Sequence, residues 1–150
     1  MTTVVEYSVE VDAPPEAVWE VASDPRSLPA WERLIESVWV PQTGLGVGVA
    51  FEVTMSFMGV RATVPCLVIE WEPPWRSTVE LDGLLEATVT TSIAKLPFDR
   101  SVLRHEVGYV FRGPLGRFAA ASVRAIGGAE YALRRGTEAQ LRAIDAAAST

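Results

Sequence analysis

Strict alternation of apolar and polar residues predicts β-strand over much of the chain. Near the N-terminus, Val5, Tyr7, Val9 and Val11 alternate with polar residues, which indicates a half-buried first strand. Further strands are predicted between turns rich in glycine, proline and aspartate, over residues 37–40, 49–57, 61–71, 77–81, 87–93 and 102–111. The clearest of these have one polar face, which is typical of antiparallel sheets. The pattern therefore predicts about seven antiparallel strands.

The segment 61–71 differs from its neighbours because its apolar residues occupy both parities. Val64, Cys66 and Val68 would face one side of a regular strand, and Leu67 and Ile69 the other. The alternation does not decide which row faces the interior. Glu70 therefore has two interpretations: a solvated carboxylate at an edge, or a cavity carboxylate whose pKa burial would raise.

Helical patterns occupy the two remaining parts of the chain. The segment DAPPEAVWEVASD predicts a short helix with Asp12 as N-cap and two prolines in its first turn, and DPRSLPAWERL predicts a second, broken one. From Pro114 to about Ala147, apolar residues recur three or four positions apart, which predicts one long amphipathic helix. Gly127, Gly128 and Gly136 weaken this helix. They mark a kink or close packing against the sheet, or else they leave space beneath the helix.

Composition excludes several classes of protein. The 150 residues suit one domain, 1–150, and 49% of them are hydrophobic. A net charge of -6 with a single lysine, Lys95, argues against a nucleic-acid partner. One cysteine allows no internal disulfide, the N-terminus lacks a signal-peptide pattern, and no run of about 18 apolar residues could span a membrane. We therefore expect a cytoplasmic protein, monomeric or homodimeric.

Motifs for cofactors and metals are not found in the sequence. The glycines of GLGVGV precede a strand pattern rather than a helix, which favours a hairpin turn over a dinucleotide site. One histidine and one cysteine on different strands do not make a metal site. We expect no cofactor and no metal. Cys66 is predicted to be a buried, inert thiol, with a catalytic Cys66–His105 pair as the less favoured alternative.

The candidate chemistry lies in the strand VLRHEVGYVF. Alternation places His105, the only histidine, on one face with Leu103, Val107, Tyr109 and Phe111. A core histidine with a satisfied ring nitrogen is one interpretation. The other is a cavity imidazole that acts as acid or base, with Tyr109 or Tyr7 as its partner or donor.

If the apolar parity of every strand faces a cavity, the same faces supply a ligand-binding wall. Such a wall is mostly apolar with a few polar groups, as small-molecule pockets generally are. The predicted ligand-binding residues are Phe51, Val53, Met55, Phe57, Glu70, Val89, Thr91, Leu103, Val107, Phe111 and Ile126.

Five segments follow one another along the chain: VEYSVEVDAPPEAVWEVASD, PAWERL, GLGVGVAFEV, IEWEPPWRSTVEL and HEVGYVFRGPLGRFA. This ordered series resembles the START-related superfamily of polyketide cyclases, dehydrases and lipid-transport proteins. The resemblance covers nearly all of the chain. It implies an α+β helix-grip fold, in which a seven-stranded antiparallel sheet wraps around a long C-terminal helix, with two short helices after strand 1 and an internal cavity. No catalytic motif of the family is carried over to this sequence.

Two functions remain open on the sequence. The resemblance implies a protein that binds a polyketide-like, aromatic or lipid-like molecule in its cavity. Such a protein is either an enzyme, a cyclase or dehydratase that uses His105 for proton transfer, or a carrier without catalysis.

Overall fold

The computed structural model of the chain describes residues 3–27, 35–40, 44–57, 59–83, 85–111, 113, 117 and 128–148. Within these ranges the strands are β1 (Thr3–Val11), β2 (Ile35–Trp39), β3 (Ala50–Phe57), β4 (Val60–Glu72), β5 (Arg76–Asp82), β6 (Leu85–Leu96) and β7 (Arg100–Phe111). The helices are α1 (Pro15–Ala22), a 3-10 turn (Pro25–Ser27) and α2 (Ala129–Ala148).

The seven strands form one antiparallel sheet in the order β1-β7-β6-β5-β4-β3-β2. From β2 to β7 every strand pairs with its successor in the sequence, and β1 closes the order beside β7. The sheet curls into a half-barrel, and α2 packs against β1. The predicted α+β helix-grip architecture is confirmed.

The start of α1 differs from the prediction. The N-cap position is Pro14 rather than Asp12, and no side chain caps the helix. Pro15 occupies the first turn, where its fixed φ suits a helix and its missing N–H costs no hydrogen bond, so the helix begins there without a cap. Of the predicted second helix, the 3-10 turn at Pro25–Ser27 is present, and residues 28–34 lie outside the described residues.

The prediction of one uninterrupted helix from 114 to about 147 is wrong at Gly128. This residue has a φ of 94°, in the left-handed region that an α-helix interior does not contain, and α2 begins immediately after it. Gly128 therefore acts as a helix break, as the kink interpretation expected. Apart from Arg117, residues 114–127 lie outside the described residues.

A β-bulge changes the parity of the inner row of β4 near the end of the strand, whereas the apolar residues Leu67 and Ile69 are each 40% exposed. Val68 pairs with Val79, whereas Glu70 pairs with Thr78, so the register shifts between Val68 and Glu70. Before the shift, Cys66 and Val68 are buried; after it, Trp71 packs against the same apolar clusters. The inner row of β4 thus changes parity at the bulge.

Buried side chains form two clusters on the inner face of the sheet. One lies beneath α1 and the end of α2 and contains Val11, Val18, Leu103 and Ile144. The second belongs to β3 and β4 and contains Phe51, Val53, Cys66 and Val68. Trp71 packs against both clusters, and its ring meets Trp19 edge to face at 4.9 Å. None of the helices in the described ranges is long and apolar enough to cross a membrane.

Candidate functional site

A cavity of about 240 Å³ lies between the concave face of the sheet and α2. Most of its wall is apolar, with a few hydroxyl groups, one imidazole, one carboxylate and one thiol. The lining residues are Ala22, Ser23, Asp24, Pro25, Ile35, Leu45, Phe51, Val53, Met55, Cys66, Val68, Trp71, Ser77, Val79, Leu81, Val89, Thr91, His105, Leu133, Gly136 and Thr137.

One transverse row of residues on the inner face of the sheet carries three polar residues of the cavity. By register, Trp71 of β4 pairs with Ser77 of β5, Ser77 with Thr91 of β6, Thr91 with His105 of β7, and His105 with Tyr7 of β1. Ser77, Thr91 and His105 are all buried and all line the cavity. Residues that face one another across strands lie within side-chain reach, so this polar row is a continuous strip.

The neighbouring row of the sheet consists entirely of valine. Val68 pairs with Val79, Val79 with Val89, Val89 with Val107, and Val107 with Val5. Val68, Val79 and Val89 line the cavity beside the polar row. A ligand in this cavity would therefore have its apolar body against branched side chains and its polar group against a few hydroxyls.

His105 makes hydrogen bonds through both of its ring nitrogens. Nδ1 lies 3.0 Å from the hydroxyl oxygen of Thr91, and Nε2 lies 2.6 Å from Oε1 of Gln140 on α2. Burial lowers the pKa of His105, against an opposing effect of the hydrogen bond with Gln140, so the imidazole is neutral at pH 7. Because a carboxamide oxygen carries no hydrogen, Nε2–H is the donor to Gln140. Nδ1 then accepts a hydrogen bond from the Thr91 hydroxyl.

Helix α2 closes the cavity through a short run of residues. Leu133, Gly136 and Thr137 line it, and Thr137 donates its hydroxyl hydrogen to the carbonyl oxygen of Leu133 one turn earlier. Gly136 is buried and has no side chain to fill the space below the helix. The interpretation that a helical glycine leaves room beneath α2 fits this position.

The predicted ligand-binding residues divide into two groups. Those that line the cavity are Phe51, Val53, Met55, Val89 and Thr91. Leu103 lies instead in the core beneath α1, fully buried, and Val107 is half-buried outside the cavity lining. The side chains of Phe57 and Phe111, and all of Ile126, lie outside the described residues.

Tyr7 lies directly opposite His105 across β1 and β7, but no hydrogen bond joins His105 to either of the two tyrosines predicted as its partners. His105 lines the cavity, but its hydrogen-bond partners are Thr91 and Gln140 rather than a tyrosine. Tyr7 is turned toward α2, where its hydroxyl donates to Glu138 Oε1 at 3.2 Å. Partial burial and the Glu138 carboxylate raise the pKa of Tyr7. Tyr109 is half-buried and lies outside the cavity lining.

Glu70 belongs to the outer face of the sheet, so its prediction as a cavity carboxylate is wrong. Its Oε1 accepts hydrogen bonds from Arg76 Nε at 2.6 Å and from the Thr78 hydroxyl at 2.8 Å. The hydrogen bond from Arg76, followed by that from Thr78, lowers the pKa of Glu70 rather than raising it. The bulge in β4 causes this placement, because it gives the inner position to Trp71.

The sequence analysis missed several residues of the site. Ser77, Val79 and Leu81 alternate along β5 and line the cavity, so their period-two pattern carried a usable signal. Gln140 gave no such signal, since a glutamine on a helix is ordinarily solvated, yet its side chain is fully buried against His105. Its amide nitrogen has no hydrogen-bond partner within the described part of the chain.

Cys66 lines the cavity as a buried thiol. Burial raises its pKa to about 12, and the thiol donates a weak hydrogen bond to the carbonyl oxygen of Val64 at 3.6 Å. These features fit the predicted inert thiol rather than a nucleophile paired with His105. Among the described residues there is no cluster of three or more histidine, cysteine or acidic side chains that could hold a metal ion.

Comparison with known proteins places the chain in a family. The sequence model of the family described as polyketide cyclase / dehydrase and lipid transport matches residues 2–148. The chain belongs to this family. No curated protein shows significant sequence similarity to this family member.

Solved structures share the fold of this family member at low sequence identity. A protein from Thermus thermophilus has a TM-score of 0.77 at 17% identity, over 97% of this chain and 99% of that one. The Zhui aromatase/cyclase from Streptomyces sp. R1128 has a TM-score of 0.72 at 19% identity, over 96% of this chain and 92% of that one. A START superfamily protein from Mycobacterium smegmatis has a TM-score of 0.68 at 16% identity, over 94% of this chain and 98% of that one. These similarities confirm the START-like fold predicted from the sequence.

Proposed function

We propose that this protein binds a small, mainly apolar molecule in its cavity and acts as a carrier or binding protein without transforming it. The observation that carries the proposal is the state of His105. The only imidazole of the chain lies in the cavity wall, but both of its nitrogens are engaged within the protein, by Thr91 and by Gln140. A general base needs a free nitrogen within hydrogen-bond reach of the proton that it removes.

The remaining residues proposed for catalysis also favour binding over turnover. Tyr7 is hydrogen-bonded to Glu138 on α2, and Tyr109 lies outside the cavity lining. Of the groups that remain in the wall, the Asp24 carboxylate already accepts a hydrogen bond from the backbone N–H of Arg26 at 2.9 Å. The others are hydroxyls and a thiol whose pKa is about 12, none of which is a strong acid or base at pH 7. The geometry supports recognition of a ligand.

The cavity volume limits the size of this ligand. An apolar cavity of about 150 Å³ holds one benzene molecule. The cavity here, at about 240 Å³, suits a molecule of about two fused rings or a short acyl chain. The wall offers branched aliphatic contacts in the valine row and the Trp71 ring at the β4 end of the polar row.

The proposal is tested with naphthalene-sized probes and a variant that fills the cavity. Val89→Phe adds bulk to the wall, whereas Thr88→Phe places the same ring on the exposed outer face of the same strand. We expect wild type and Thr88→Phe to bind the probe and gain thermal stability, about 2.7 kcal/mol at a probe concentration of 100 times Kd. Val89→Phe should bind at least tenfold more weakly.

A failure of wild-type protein to bind any such probe would contradict the proposal. The carrier and enzyme alternatives are separated by incubating the protein with polyketide-like substrates and following them by mass spectrometry. Ligand that is bound and recovered unchanged supports a carrier. Turnover that falls by about 10²-fold or more in folded His105→Gln would show instead that the imidazole is catalytic.

A further inference from the structure

The orientation of the Gln140 amide, whose oxygen points at His105, sets the direction of the hydrogen-bond chain on the polar row. Gln140 Oε1 accepts from Nε2–H of His105, and Nδ1 of the same ring accepts from the Thr91 hydroxyl. A hydroxyl has one hydrogen, and that of Thr91 is used toward His105. The oxygen of Thr91, a residue of the cavity wall, therefore has only lone pairs left to offer a ligand and acts as a hydrogen-bond acceptor.

Ser77 complements Thr91 on the next strand. It is buried, it lines the same cavity, and its hydroxyl has no hydrogen-bond partner among the described residues. Its hydrogen is thus available to a ligand. Ser77 and Thr91 are directly paired across β5 and β6, which places their Cβ atoms about 4.5–5.5 Å apart. At this spacing one ligand oxygen can reach both hydroxyls.

We propose that the ligand carries a hydroxyl group, alcohol or phenol, that lies between Ser77 and Thr91, accepts a hydrogen bond from Ser77 and donates one to Thr91. This inference rests on the proposed function, since it requires a ligand in the cavity. A ketone or an ether at the same place would satisfy Ser77 but offer no hydrogen to Thr91. Gln140 and His105 act as positioning residues, because they set the direction in which the Thr91 hydroxyl points.

Three probes of one shape test the inference: naphthalene, 2-naphthol and 2-methoxynaphthalene, measured by equilibrium dialysis. Since a hydrogen bond contributes about 0.5–1.5 kcal/mol, we expect wild type to bind 2-naphthol about 2- to 10-fold more tightly than 2-methoxynaphthalene. In Thr91→Val this preference should disappear. Ser77→Ala should instead weaken both oxygen-bearing probes relative to naphthalene, by about 2- to 10-fold, because each of them accepts from Ser77.

Thr90→Val is the matched control for these two variants. Thr90 bonds Thr78 on the outer face of the sheet, so its loss should leave the binding of all three probes unchanged. The single histidine also allows ¹⁵N NMR to read the tautomer directly. Protonation at Nδ1 instead of Nε2 would contradict the inference.

The possible outcomes separate the two proposals. Equal binding of 2-naphthol and 2-methoxynaphthalene by wild type, or a preference that survives Thr91→Val, overturns the hydroxyl assignment while the proposed function stands. Binding of none of the three probes, naphthalene included, overturns both. Should Thr91→Val fail to fold because Nδ1 loses its donor, Ser77→Ala still decides: unchanged binding of 2-naphthol relative to naphthalene overturns the assignment.

Discussion

His105 shows how a titratable side chain is accommodated on an apolar face. Its two nitrogens are paired with Thr91 on the adjacent strand and with Gln140 on the helix, so the ring is only 6% exposed yet fully hydrogen-bonded. A buried polar group whose hydrogen bonds are satisfied costs little, whereas an unsatisfied one costs about 1–3 kcal/mol. The pairing therefore makes a neutral imidazole stable in the cavity wall.

The lowered pKa of His105 predicts loss of stability in acid. An unfolded imidazole has a pKa of about 6.5, and burial holds the pKa of His105 below that value in the folded state. On acidification below about pH 6.5 the unfolded chain binds the proton first, so the stabilising contribution of His105 is complete above that pH and is lost as the pH falls toward the folded pKa. His105→Gln removes this titration and serves as the reference.

Denaturant unfolding of both proteins between about pH 7.5 and pH 5 measures the effect. At the upper pH, wild type should be more stable than His105→Gln by about 0.5–3 kcal/mol, the usual range for a buried, hydrogen-bonded side chain. The difference should shrink toward pH 5. A difference that grows in acid would mean that the folded protein binds the proton more tightly than the unfolded chain.

Cys66 offers a second prediction, because it is the only cysteine and lines the cavity. With a pKa of about 12, roughly 10⁻⁴ of the thiol is ionised at about pH 8. We expect iodoacetamide to label the folded protein at least 100-fold more slowly than the urea-unfolded chain, and a bound probe to slow labelling further. Mass spectrometry follows the reaction. Equal rates for folded and unfolded protein would show that the thiol is accessible and not perturbed.

Among the elements, β4 and α2 decide the shape of the cavity. The bulge in β4 sends Glu70 outward to Arg76 and gives the inner position to Trp71. In α2, Gly128 breaks the helix before its first turn, and Gly136 lies over the cavity. Two of the glycines that weaken the helical pattern therefore have different structural roles.

The role of Gly136 predicts the effect of a side chain at that position. Gly136→Leu should improve helix propensity but direct a large apolar group into the cavity, so that probe binding is lost while the fold is kept. Ala146→Leu places the same side chain on an exposed position of α2 and is the control. Naphthalene dialysis and circular dichroism measure both. Undiminished binding by folded Gly136→Leu would contradict the position of α2 over the site.

At the scale of the whole molecule, the arginines of the sheet lie beside carboxylates. Arg61 pairs with Glu36, Arg76 with Glu70, Arg100 with Glu10, and Arg104 with Glu6 and Glu106. Such exposed pairs contribute little stability individually. Their effect is to leave these arginines beside carboxylates in a chain of net charge -6, which disfavours binding to a polyanion.

This charge distribution predicts negligible affinity for nucleic acid. Binding to DNA depends on basic side chains that displace counterions from phosphates. Arginines that are already paired with carboxylates are not free to neutralise phosphates. We expect no shift of a DNA duplex by micromolar protein in a gel-shift experiment at about 150 mM salt. A complex that persists at that salt concentration would overturn the expectation.

The sequence by itself determined the strands, the inner parity of every strand with a clear alternation, and the fold, because these depend on periodicity among neighbouring residues and on the order of the elements. The alternation through Val5, Tyr7, Val9 and Val11 and the rows that contain Val89, Thr91 and His105 lie as the pattern predicts. Each observation needs only local sequence, since a strand turns successive side chains to opposite faces whatever packs against it.

Only the tertiary structure decided which of these inward groups meet one another. His105 and Gln140 are 35 residues apart, and their contact depends on how α2 lies over the sheet. The parity change at Glu70 depends on the register of β4 against β5, and the sequence does not mark the bulge. Hydrogen bonds require atoms within about 3 Å. Distances of that kind are fixed by packing between elements, so local periodicity predicted the faces of the site but not its chemistry.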